Sequence, residues 1–272
     1  MGVTTGFSDL DRMLDGGLEN EHLYLIAARP AMGKTGFMLN MVEHICFRAY
    51  KTALIFSAEA TNKVIVERLM SLKSGVDYQK IRLGRLESED WNRITHVAEE
   101  FEQSKLIVDD TQRISTDELK KKCIEYQKQN PELAVIFVDY IQLIKRNGVP
   151  ESRRKEIASI LEELKSVAQE LHVPVVAISQ LSREPENRKD HRPRMSDLSI
   201  LADVDGSVDA VMFLYRDDYY NMDSEKKGIA EIILAQNPFG NRGTCELVFI
   251  SGYIKFVNIE RNYGGFGQGC LV

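Results

Sequence analysis

Short aliphatic runs alternate along this chain with longer stretches in which apolar residues recur every three or four positions. The runs at 23–28, 52–57, 105–109, 133–139 and 173–179 have the length and composition of buried strands. Between them the spacing predicts helices at 34–49, 61–74, 87–103, 115–129 and 152–171. In the last of these, Ile157, Ile160, Leu161, Leu164, Val167 and Leu171 keep to one face. Strand, helix and strand repeated in this way predict an α/β fold, a mainly parallel twisted sheet with helices on both faces. After 205 the pattern changes. Runs at 208–215, 229–236, 245–250 and 253–258 are separated by polar or Gly/Asn turns, as in antiparallel hairpins that extend the sheet at one edge.

Where each run stops is the informative part. The first is followed by Ala28-Arg29-Pro30-Ala31-Met32-Gly33-Lys34-Thr35 and then Gly36, which opens a helix. A tight turn from a strand into a helix leaves unpaired backbone N–H groups that favour an anion. In that context residues 29–36 form a candidate phosphate cradle. Lys34 supplies positive charge for the β- and γ-phosphates, and the Thr35 hydroxyl is a candidate Mg²⁺ ligand. The usual first glycine of such a turn is Ala28 here. Glu59, Asp139 and Gln180 end three further runs. Strand ends of an open parallel sheet line one crevice, so these residues are expected to converge with Lys34. Asp139 would then support Mg²⁺, Glu59 would act as general base on a water, and Gln180 would bond the γ-phosphate. Singly, Glu59 reads equally well as a helix cap and Gln180 as structural. Four polar residues at matching strand ends are hard to obtain by capping alone. The implied cofactors are ATP, or another NTP, and Mg²⁺.

Composition narrows the class. The chain has 272 residues, 43% of them hydrophobic and 28% charged, which suits a soluble globular protein near the upper size of one domain. No run of about 18 apolar residues is present, so no membrane span is expected. Four scattered cysteines without C-x-x-C spacing suggest neither zinc nor a disulfide framework and fit a cytoplasmic location. A net charge of −6 argues against general coating of nucleic acid yet allows a local basic surface. Lys145, Arg146, Arg153, Arg154 and Lys155 bracket one loop on the crevice side. Arg183, Arg188, Lys189, Arg192 and Arg194 occupy another, and such groups give salt-sensitive phosphate contacts. No aromatic residue interleaves with them for base stacking, so solvated loops are the competing reading. Trp91 is expected to pack rather than to meet a ligand.

Several motifs together resemble the C-terminal motor domain of bacterial replicative helicases, the DnaB family, whose fold is RecA-like. They are Thr-Gly-Phe-Ser-Asp-Leu-Asp at 5–11, the turn at 28–35, Phe-Ser-Ala-Glu at 56–59, Val-Asp-Tyr-Ile-Gln-Leu-Ile at 138–144 and Ile-Ser-Gln-Leu-Ser-Arg at 178–183. Two more are Arg-Pro-Arg-Met-Ser-Asp-Leu at 192–198 and Phe-Leu-Tyr-Arg-Asp-Asp-Tyr-Tyr at 213–220. The resemblance implies one motor domain over 1–262; the tail, 263–272, has four glycines and no period and is expected to be disordered. The resemblance also implies NTP hydrolysis coupled to movement on single-stranded DNA and unwinding, by a hexameric ring. Arg183, Arg192, Arg194, Lys145 and Arg146 are the candidate DNA contacts. Family members usually carry an N-terminal collar and linker helix, and without them ring assembly is expected to be weak.

The chain departs from the family in two places. Ser199, Ile200, Leu201 and Ala202 stand where Arg-Glu-Ser-Gly is usual in a DNA-facing loop. Gln236-Asn-Pro-Phe-Gly replaces Lys-Gln-Arg-Asn-Gly, whose cations reach a neighbour's γ-phosphate, so Gln236 and Pro238 occupy the finger positions. Arg242 is the candidate substitute finger; an ordinary solvated turn residue is the competing reading. These departures support a rival expectation, a paralogue that binds nucleotide but does not unwind and acts as adaptor or regulator of a replicative ring. A RecA-like recombination or signalling ATPase is a third possibility, against which the 192–220 run counts.

Overall fold

The computed structural model describes residues 2–145, 152–198, 206–237 and 242–259. Arg146, the 199–202 departure, Pro238 and the 263–272 tail therefore lie outside the described residues. Six strands run parallel: β1 (Leu23–Ala28), β2 (Thr52–Ser57), β3 (Leu106–Asp109), β4 (Leu133–Asp139), β5 (Val175–Gln180) and β6 (Ala210–Tyr215). Antiparallel β7 (Ile229–Gln236), β8 (Gly243–Ile250) and β9 (Lys255–Asn258) continue from β6. The order across the sheet is β3-β2-β4-β5-β1-β6-β7-β8-β9. Each expected strand and the change to hairpins after 205 are present.

Helices α1 (Ser8–Met13), α2 (Lys34–Glu43), α3 (Asn62–Ser74), α4 (Tyr78–Leu83), α5 (Ser88–Glu102), α6 (Thr116–Gln129) and α7 (Arg153–Leu171) complete the fold. Side chains alternate across a strand, and here both faces are dry. Tyr24, Ile26, Ile55, Phe137 and Ile178 pack with Phe37 and Met38 of α2 and with Ile65 and Leu69 of α3. Leu25, Leu54, Phe56, Ile136 and Ala177 pack on the other side with Leu119 of α6 and with Ile160, Leu161 and Leu164 of α7. Strands covered on both faces read as unbroken apolar runs rather than alternating ones, which is why the sequence marked them so clearly.

Two expectations need correction. The helix from 34 does not continue regularly to 49: after Glu43 it widens into a π turn, His44–Arg48, with the Ala49 N–H donating to the His44 carbonyl five residues back. His44 is tied there to Thr4 (Nε2 to Oγ1, 2.9 Å). Trp91 does not pack; it is 56% exposed. The buried stripe of α5 runs through Val97 and the half-buried Ile94 and Phe101, and Trp91 falls off that face of a 3.6-residue helix. Distant parts of the chain also meet at the last strand. Asn258 Oδ1 accepts from the Ser8 N–H (3.0 Å), and Asn258 Nδ2 donates to the Gly6 carbonyl (3.0 Å).

Candidate nucleotide-binding site

The strands that deliver Glu59, Asp139, Gln180 and Lys34 are β2, β4, β5 and β1, four neighbours in the sheet. Their register brings the ends level: Ser57 pairs with Asp139, and Ala28 with Gln180. One cavity of about 540 Å³ opens at this rim. Lys34, Thr35, Glu59, Asp139 and Gln180 all line it, with Pro30, Ala31, Gly33 and Gly36 of the turn.

Ala28, in the place of the usual glycine, is the last residue of β1, paired to β5 and fully buried, and needs no left-handed backbone. The left-handed conformations fall instead on Ala31 (φ 64°) and Gly33 (φ 102°). A Cβ on Gly33 would also approach Phe256 to 3.3 Å. The turn thus delivers Lys34 and Thr35 as the first residues of α2, where N–H groups lack intrahelical partners.

Thr35 Oγ1 donates to Asp139 Oδ2 at 2.7 Å, and Lys34 Nζ donates to the Arg29 carbonyl at 3.2 Å. Asp139 is only 2% exposed, and burial holds its carboxyl above the ordinary carboxylate value, with the Thr35 bond opposing. Burial likewise lowers the Lys34 ammonium, opposed by the charges of Asp139 and Glu59. Both groups are strained in their charged forms, so a phosphate near Lys34 and a cation near Asp139 would relieve them. The donor set fits Mg²⁺: a hydroxyl and a carboxylate oxygen, both hard ligands, side by side. Among the described residues no group of three or more His, Cys, Asp or Glu could hold a metal alone.

Arg29 and Met32, placed among the binding residues from sequence, turn their side chains away from the cavity. The Arg29 guanidinium donates to Glu186 Oε1 (2.7 and 2.9 Å) and to the Leu181 carbonyl (2.8 Å). Met32 is 1% exposed and packed into the core. Only their backbone shapes the turn.

Several site residues were missed from sequence. Arg68 of α3 lines the cavity with Thr61 and Val64; its Nε is buried without a hydrogen-bond partner, and its guanidinium lies 5.9 Å from the Tyr78 ring centre. Positions 61, 64 and 68 share one helical face, a spacing the sequence carries without marking it as a site. Tyr140 also lines the cavity, following a cis Asp139–Tyr140 peptide bond. Gln142 holds the β5 end: its amide donates to Ser179 Oγ (2.9 Å) and the Gln180 carbonyl (3.1 Å) and accepts from the Gln180 N–H (3.2 Å).

The candidate DNA contacts fare differently. Arg192 pairs with the buried Glu231 and lies 4.9 Å from the Tyr215 ring centre. Arg194 pairs with Asp190 at 3.0 Å, and Arg188 grips Asp197 at 2.5 and 2.8 Å. Arg183 and Lys145 are exposed, and no ion pair of either is found among the described residues. Arg242 is exposed just before β8. At the finger position, Gln236 Nε2 donates inward to the Val208 carbonyl (2.8 Å), and Asn237 Nδ2 donates to the Met13 carbonyl (2.7 Å).

A parallel sheet of this strand order, with a strand–turn–helix phosphate cradle at its rim, defines a RecA-like fold. The chain belongs to the DnaB-like helicase C-terminal domain family, whose model matches residues 2–258. It is 41% identical over 263 residues to the replicative DNA helicase DnaB of Geobacillus stearothermophilus, covering 96% of this chain and 58% of that protein. It is also 41% identical over 267 residues to the replicative DNA helicase DnaC of Bacillus subtilis, covering 98% and 58%. The chain thus spans less than two thirds of these relatives. Among solved structures, an isolated ATPase domain matches with a TM-score of 0.91 and 37% identity over 96% of this chain and 92% of that one. A DnaB-like replicative helicase described with its interactions with primase matches with the same score and identity, over 96% and 64%. Among the described residues no helix is long and apolar enough to cross a membrane.

Proposed function

We propose that this chain is an NTP-hydrolysing motor domain that moves on single-stranded DNA and unwinds duplex as part of a hexameric ring. The observation that carries the reading is the meeting of Lys34, Thr35, Glu59, Asp139 and Gln180 on one 540 Å³ cavity, in a chain of the DnaB-like family. Backbone N–H groups at the start of α2 and the Lys34 ammonium take the phosphates. Arg68 adds a second cation, whose Nε is left for an incoming acceptor. Thr35 and Asp139 would hold Mg²⁺, whose charge would neutralise the negative charge that develops on the phosphoryl group. Glu59, exposed at the mouth of the cavity, accepts a proton from the attacking water. Gln180 bonds the γ-phosphate, and Gln142 keeps its backbone in place. DNA contact falls to the exposed Arg183 and Lys145 rather than to Arg192 and Arg194, whose guanidinium groups are already paired.

The inward bond of Gln236 favours a second reading. A chain whose finger position is tied to its own Val208 would accept a trans-acting cation without offering one from that position, as an adaptor within a replicative ring. ATP hydrolysis measured with and without single-stranded DNA separates the readings. Stimulation by DNA supports the motor. Nucleotide binding with a rate indifferent to DNA supports the adaptor, and failure to bind nucleotide overturns both.

A further inference from the structure

The nucleotide cavity has one wall that comes from the far edge of the sheet. Ile254, in the turn between β8 and β9, lines the cavity with the residues of the phosphate turn. It reaches the first turn of α2 so closely that a Cβ on Gly36 would lie 2.4 Å from its Cγ2. Its backbone is left-handed, φ 55°. A β-branched side chain is a genuine outlier there, and such conformations persist only where surrounding structure enforces them.

The enforcing group is Asn40, buried on α2. Its Nδ2 donates to the Ile254 carbonyl (2.9 Å) and to the Gly36 carbonyl (2.7 Å), while its Oδ1 accepts from the Phe256 N–H (2.9 Å). The bonds at the Ile254 carbonyl and the Phe256 N–H thus come from the same helix whose N-terminus forms the phosphate cradle. Cradle and wall are joined by side-chain hydrogen bonds from a single buried residue.

The geometry points to Ile254 as the wall against which the nucleoside of the bound nucleotide rests, making it a positioning and specificity residue of the site. This inference rests on the nucleotide reading above. The charged and hydrogen-bonding side chains of the rim, Lys34, Thr35, Glu59, Asp139 and Gln180, match phosphate, metal and water. Ile254 offers only methyl and methylene groups, which gain nothing from a phosphate. The ribose and base are the parts of a nucleotide with apolar surface to cover. Having no donor or acceptor on its side chain, Ile254 would select by shape and leave the base edges unread. A glycine or asparagine at this position would adopt the same backbone more easily but would lose the wall.

The test compares two probes, Mg-ATP and inorganic tripolyphosphate, binding to the wild-type chain and to Ile254→Gly and Ile254→Asn by calorimetry. Both substitutions suit a left-handed turn, so folding should survive; Lys34→Ala serves as a control that weakens both probes. The expected result is a loss of ATP affinity of about tenfold in each variant. Tripolyphosphate affinity should stay within about twofold, and the melting temperature without ligand should hold or rise. If both probes weaken alike, if neither weakens, or if melting temperature falls together with both affinities, Ile254 is only structural and the inference is overturned. A wild-type chain that binds neither probe would instead overturn the nucleotide reading, and this inference with it.

Discussion

Two sets of basic residues lie at the strand-end side of this sheet, and they are kept in opposite conditions. Around the cavity, Lys34 bonds a carbonyl rather than a carboxylate, and Arg68 leaves Nε buried and unmatched. In the 183–198 loop, Arg188, Arg192 and Arg194 each have a carboxylate, two of them deeply buried. Neither cavity cation is in a salt bridge among the described residues, although Asp139 and Glu59 act on Lys34 at longer range. A cation already paired, by contrast, acts as a brace. Positive charge in a sequence does not distinguish the two; its neighbours in space do.

The largest effect that bears on this contrast is chemical. Glu59→Gln should lower phosphate release by about a thousandfold while ATP affinity changes only a few-fold. Retained turnover would remove Glu59 from the base role and leave the cavity a binding site only. Next comes the brace. Arg192→Ala leaves Glu231 with Lys226 alone and should cost about 2 kcal/mol in urea unfolding, with ATP affinity unchanged. The matching cavity substitution, Arg68→Ala, should do the reverse: ATP affinity falls about tenfold, with no loss of stability. Should these two variants exchange their effects, the contrast is wrong.

A smaller effect concerns Asp139. Its carboxyl is held above the ordinary value of 3.8, so the folded state binds that proton more tightly than the unfolded one. Its contribution to stability is therefore present at low pH and is lost as pH rises from about 3.8 through the folded value. Asp139→Asn removes that dependence and keeps a group able to accept from Thr35. The ligand-free protein should gain on the order of 1 kcal/mol at neutral pH while losing Mg²⁺-dependent ATP binding. Thermal melts across pH with wild type and variant decide it, and a variant no more stable than wild type at pH 7 would contradict the account.

The parallel half was legible almost residue by residue, because strands buried on both faces leave unbroken apolar runs and the polar rim residues stop them. Helices α1 and α4, six residues each, are too short to show a period. Thr61, Val64 and Arg68 carried a readable spacing that only a known cavity would have made meaningful. Ile254 carried none, since its place beside Gly36 depends on how the antiparallel edge folds back. The side-chain directions of Arg29 and Arg192 were equally hidden, each being set by an acid far away in sequence, Glu186 and Glu231.

The bonds from Asn40 to Ile254 and Phe256 join residues 214 and 216 positions apart. During synthesis the phosphate cradle emerges from the ribosome long before the strand that closes over it. Contacts of such separation form late, so the Ile254 side of the cavity is completed only once the antiparallel edge has formed. Until then the cavity lacks one of its walls.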